Sequence, residues 1–108
     1  MVQQIISNLL SGTESVYFDV DGTLIHQDGS LTQLGMSIIE SRYVINIATF
    51  GGWSKEMLQE KGFIINEFLA YGDLIKLGYV SEDWQFKRVP GLLVDNEQHQ
   101  TNQILYAA

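Results

Sequence analysis

Three short apolar runs constrain this chain more than any other feature: Val16-Tyr17-Phe18, Tyr43 to Ala48, and Leu92-Leu93-Val94. The first is rich in aromatic and β-branched residues, and each stops at a polar side chain, Asp19, Thr49 and Asp95 respectively. Runs of this kind read as strands covered on both faces. Helical patterns stand between them, and strands alternating with helices imply crossover connections. The expected fold is therefore α/β, a three-layer Rossmann-like core with a mostly parallel sheet. Ligands in such sheets bind beyond the carboxyl ends of the strands. The three polar termini are thus expected to converge on one edge.

The remaining segments fit this scheme as one domain over 1–108. Val2, Ile5, Ile6, Leu9 and Leu10 form one apolar stripe, so residues 1–14 read as an N-terminal helical extension that covers a sheet face or meets a partner chain. Leu24 to Thr32 reads as a small hairpin with Asp28-Gly29 as a two-residue turn. A helix is expected over Leu34 to Ser41. A second is expected over Lys55 to Lys61, capped by Ser54 and stopped by Gly62. Residues 63–80 support two readings, a strand over Phe68 to Tyr71 or a helix over Ile64 to Leu77. The tail reads as a helix followed by an edge strand around Ile104-Leu105-Tyr106.

Charge and cysteine usage narrow the function classes. Thirteen acidic residues against six basic ones leave a formal net charge of −7. That field opposes nucleic-acid backbones and anionic membranes, although one local site can still hold a small anion. The absence of cysteine removes disulfides, thiol nucleophiles and thiolate metal sites. The start lacks the basic region of a secretory signal, and no apolar run reaches the ~20 residues of a membrane span, so a cytoplasmic protein is expected.

The segment Val16-Tyr17-Phe18-Asp19-Val20-Asp21-Gly22-Thr23-Leu24-Ile25 carries the chemistry. It resembles the first motif of the haloacid dehalogenase-like (HAD) phosphohydrolases, an apolar strand followed by Asp-x-Asp-Gly-Thr and an apolar residue. Thr49 resembles the second motif of that family, and Asp95-Asn96 its acidic fourth motif. The order holds across residues 16–96. The residue types suit the chemistry on their own terms. Two carboxylates two residues apart at a strand end lie on one side, where one can attack phosphorus while the other handles protons. Asp19 and Asp95 can supply oxygen ligands to Mg²⁺ from neighbouring strands, and Thr49 can offer a hydroxyl to a phosphoryl oxygen.

The resemblance implies a Mg²⁺-dependent phosphatase acting on a phosphomonoester. Asp19 would be the nucleophile that forms an aspartyl-phosphate. Asp21 would protonate the leaving oxygen and then activate water, with its backbone carbonyl on the metal. The implied metal ligands are Asp19, Asp21 and Asp95. The family's phosphate-binding lysine corresponds to Lys87, eight residues before Asp95, with Lys76 as the alternative. Asn96 stands where the fourth motif often has a second acid, with Glu97 beside it as a possible substitute. No insertion is long enough for a cap domain, so only a small flap over His26 to Thr32 is expected. Such an open site suits a phosphorylated substrate, small or macromolecular, and the stripe over Val2 to Leu10 allows a homo-oligomer. Two other readings stand beside this one: a catalytically weak HAD-like domain serving as a binding or regulatory module, and phosphoryl transfer to an acceptor other than water. His26 and His99 read as exposed, and Trp53 and Trp84 as core or rim packing.

Overall fold

The structure, a computed structural model, describes residues 15–78, 80, 92–95 and 103–105. The strands are β1 (Val16–Phe18), β2 (Val44–Ala48), β3 (Ile64–Leu69), β4 (Leu92–Asp95) and β5 (Gln103–Leu105). The helices among the described residues are α1 (Gln33–Ser41), α2 (Lys55–Glu60) and α3 (Tyr71–Lys76). The helix expected over 2–10 and the one expected before β5 lie outside the described residues.

All five strands form one sheet in the order β3-β2-β1-β4-β5, and every pairing is parallel. The chain moves outward from β1 to β3 and then returns to the other side of β1 for β4. The boundary between β1 and β4 is therefore the point where successive connections leave in opposite directions. Both faces of β1 are buried, as its uninterrupted apolar sequence requires. Val16, Phe18, Ile45, Ile47, Ile65 and Val94 pack against Leu34 and Ile38 of α1 and Leu58 of α2. Tyr17, Ala48, Leu69 and Leu93 pack on the opposite face with Leu74 of α3.

The ambiguous stretch 63–80 resolves into strand, then helix. Ile45 pairs with Ile65 but Ile47 pairs with Phe68, so Asn66 and Glu67 together oppose Asn46. This β-bulge puts Ile65 and Phe68 on one face at a spacing of three, which mimics a helical repeat in the sequence. Asn46 satisfies the bulge: its Oδ1 accepts from Asn66 Nδ2 and from the Glu67 backbone N–H, both at 3.2 Å. The displaced Glu67 then accepts from the Tyr17 hydroxyl at 2.5 Å. Asp73, at the third position of α3, accepts from the Ala70 N–H at 3.0 Å and caps that helix from within.

The hairpin is present, but its turn differs from the expected two-residue form. His26 N–H donates to Ser30 C=O and Gly29 N–H donates back to His26 C=O, which encloses a three-residue loop over 27–29. Gly29 takes the left-handed position at φ +88°, the usual geometry of a three-residue hairpin loop.

Thr32 joins the flap to α1. It is fully buried, its Oγ1 accepts from Gly35 N–H at 3.0 Å, and the same hydroxyl donates to Thr23 C=O at 2.7 Å. Replacing Thr32 by Val should cost about 2 kcal/mol, read by urea denaturation, because it removes a helix cap and strands a buried carbonyl. At the other end of α1, Arg42 holds a left-handed conformation at φ +55° while its N–H caps Ile38 and Ile39. Arg42→Gly should therefore raise stability by roughly 0.5–1 kcal/mol in the same assay.

Candidate active site

Asp19 directly follows β1, and its N–H donates to the Val94 carbonyl at 3.0 Å. The β1–β4 register pairs Phe18 with Val94, so one further step sets Asp19 alongside Asp95, the last residue of β4. Neighbouring strands lie about 4.8 Å apart, so the two backbones are adjacent at the switch point. The side chain of Asp95 lies outside the described residues. Asp19 is buried, at 9% exposure, with Thr23 Oγ1 at 3.4 Å from its Oδ2, a long hydrogen bond.

The chain then folds back on one acceptor. The Val20 carbonyl accepts from Thr23, Leu24 and Ile25 N–H at 3.1, 2.9 and 3.1 Å. Gly22 makes this turn possible at φ +80°, and its own N–H donates to Ile25 C=O at 2.8 Å. The Val20 side chain is buried in the apolar layer with Phe18, while Asp21 sits exposed at the rim.

Asp21 is held by the loop that leaves β2. Trp53 Nε1 donates to Asp21 Oδ1 at 2.8 Å. On the other side, a Cβ built on Gly51 would stand 2.4 Å from Asp21 Oδ2, so a side chain at residue 51 would push the carboxylate from its present place. Thr49 is fully buried at the tip of β2, and its Oγ1 accepts from Gly51 N–H at 3.1 Å. This bond uses the hydroxyl as an acceptor, so its proton can be donated elsewhere. Thr49, Gly51, Trp53 and Asp21 thus form one chain of contacts across the tips of β2 and β1.

The flap borders this edge. Its tip carbonyl, Gly29 O, lies 3.5 Å from Lys61 Nζ, at the limit of a hydrogen bond, and the same ammonium stands 5.8 Å from the centre of the Trp53 ring. Within the flap, Asp28 Oδ1 accepts from Ser30 Oγ at 2.6 Å and from Ser30 N–H at 2.9 Å. The Ser30 hydroxyl first, and its backbone N–H second, hold the Asp28 carboxyl below its ordinary value.

Of the residues singled out in the sequence, Asp19, Asp21 and Thr49 come together at the carboxyl ends of β1 and β2, with the Asp95 backbone beside them. Lys87, Asn96 and Glu97 lie outside the described residues. Lys76 stands exposed in the last turn of α3. Six helical residues carry it roughly 9 Å along the axis from the end near the tip of β3. Among the described residues, no three His, Cys, Asp or Glu side chains form a group able to hold a metal. Trp53 was expected only as packing. Its ring does pack against the core, but its N–H also serves Asp21. The signal in the sequence is a tryptophan, with its one polar hydrogen, in the exit loop of the strand that ends at Thr49.

No family model, no curated protein and no solved structure matches this chain.

Because folding lowers the Asp28 carboxyl, its contribution is present above the ordinary carboxylate range and is lost as pH falls through the lowered value. Ser30→Ala should move the Asp28 titration midpoint upward, toward that of a free carboxylate, in an NMR pH titration of the side chain.

Proposed function

We propose that this protein is a Mg²⁺-dependent phosphatase of the HAD-like type, which hydrolyses a phosphomonoester through an aspartyl-phosphate on Asp19. The observation that carries this reading is the position of Asp19. It is a buried carboxylate at the end of the central strand, hydrogen-bonded through its backbone to β4 at the switch point of a parallel sheet. Asp21 lies two residues on, and Thr49 lies on the adjacent strand tip.

In this reading an Asp19 carboxylate oxygen attacks phosphorus and the bond to the ester oxygen breaks. Asp21 hands a proton to that leaving oxygen. Water then attacks the acyl phosphate, gives its proton to Asp21, and releases inorganic phosphate with Asp19 restored. Thr49 donates its hydroxyl proton to a phosphoryl oxygen, and a lysine, Lys87 in this reading, neutralises part of the charge, since Lys76 sits at the far end of α3 from the strand tips. The donors proposed for the metal are the Asp19 carboxylate, the Asp21 backbone carbonyl and Asp95. They are all hard oxygen atoms, which is the set Mg²⁺ takes, and the chemistry of the donors fits the ion. When bound, Mg²⁺ would shield the charge that develops on the transferring phosphoryl group. The bordering flap is only a few residues long, which supports an open site able to take a bulky phosphoester. A net charge of −7 argues against a nucleic-acid backbone as that substrate.

The test is hydrolysis of a panel of phosphomonoesters by the purified protein, with and without Mg²⁺. Turnover should require Mg²⁺ and should fall by roughly 10³-fold or more in Asp19→Asn, which cannot form the acyl phosphate. Hydrolysis that persists unchanged in Asp19→Asn overturns the nucleophile. Measurable Mg²⁺ binding without turnover of any ester favours the binding-module reading instead.

A further inference from the structure

We infer that Trp53 is a positioning residue: its indole N–H holds the Asp21 carboxylate in one orientation at the mouth of the crevice, in space that the absent side chain of Gly51 leaves to it. Its catalytic consequence rests on the phosphatase reading, whereas the hold itself does not.

Asp21 is exposed on a turn, where an aspartate would ordinarily exchange among staggered rotamers. Here one of its oxygens is bonded and the other lies in space that residue 51 leaves empty. Oδ1 accepts from Trp53 Nε1 at 2.8 Å, and Oδ2 rests where a Cβ on residue 51 would come within 2.4 Å. The donor is itself immobilised. Trp53 packs against the main apolar cluster, Lys61 Nζ stands 5.8 Å from its ring centre, and Ser54 immediately after it caps α2 by accepting from Met57 N–H at 3.1 Å. The ring is thus fixed by core packing on one side and by a cation on its face. With Oδ1 occupied by the indole, Oδ2 is the oxygen left to face a leaving group. Proton transfer needs the acid within hydrogen-bond reach of the reacting oxygen, so confining Asp21 to one orientation raises the fraction of bound substrate poised to react. Such a group acts on kcat and leaves substrate binding alone.

Trp53→Phe keeps a ring in place and removes only the donor. With a phosphomonoester that the wild type hydrolyses, it should lower kcat by about tenfold or more at unchanged KM, without a matching loss of thermal stability. In a ¹H–¹⁵N spectrum, the indole N–H signal that vanishes in Trp53→Phe should move when Asp21 is replaced by Ala. A Trp53→Phe protein with unchanged kcat overturns the positioning role, as does an indole signal indifferent to Asp21→Ala. Should Trp53→Phe fail to fold, Gly51→Ala carries the test by displacing Asp21 from its other side. A fall in kcat at unchanged KM supports the inference, and an unchanged kcat overturns it. If the wild type hydrolyses no ester, the phosphatase reading fails by itself, and the indole signal decides whether Trp53 holds Asp21.

Discussion

The carbonyl of Val20 organises the edge of this protein that carries the candidate site. Three consecutive N–H groups, from Thr23, Leu24 and Ile25, converge on it, so the chain reverses within a few residues of leaving β1. The reversal sets the backbone from which Asp19 and Asp21 project. It also presents the Leu24 carbonyl to Thr32 N–H at 3.0 Å, which starts α1 at a defined place. Gly35 completes this junction. A Cβ there would meet the Leu24 carbonyl oxygen at 2.3 Å, so the helix backbone lies directly against the loop. One acceptor, one capping threonine and one glycine thereby couple the rim of the site to the first crossover helix.

The sheet supplies the rest of the constraint. A three-residue central strand buried on both faces depends on its neighbours for its position, and β1 is paired in parallel with β2 on one side and β4 on the other. Because all the strands run the same way, their carboxyl ends lie on one edge, and the polar residue after each apolar run is delivered there. The sheet interior is almost wholly apolar, and Asn46 and Tyr17 have their polar atoms matched to the β3 bulge. The buried polar residues beyond these, Asp19, Thr23, Thr32 and Thr49, lie at the strand ends or at the junction with α1.

Much of this was legible in the sequence because it depended on local pattern. The strands β1, β2 and β4 are short apolar runs, and the cap at Ser54 follows from a hydroxyl placed before a helical stretch, whereas Thr32 read as the end of the hairpin and its cap on α1 emerged only in the structure. What escaped local pattern has a physical reason in each case. The β3 bulge inserts one residue and turns a period of two into a spacing of three, which is why that strand also read as a helix. The flap turn carries one more residue than Asp28-Gly29 implied, because Gly29 supplies the left-handed position of a three-residue loop rather than half of a two-residue one. Trp53 read as packing because an indole serves a core and an acceptor equally well, and its acceptor lies 32 residues away in the chain.

The sequence by itself determined the strands β1, β2 and β4 and the polar residue at the end of each, since burial period and strand-breaking chemistry are encoded in consecutive residues. It also determined the pair Asp19 and Asp21 in a glycine-assisted turn. The tertiary structure decided which side of β1 receives β4, and its β1–β4 pairing agrees with the expectation that Asp19 and Asp95 stand on neighbouring strands. It alone brought Gly51 and Trp53 to the two oxygens of Asp21. Strand order and loop-to-loop contact arise from packing two apolar layers on opposite faces of one sheet, a property of the whole chain that no local stretch of residues contains.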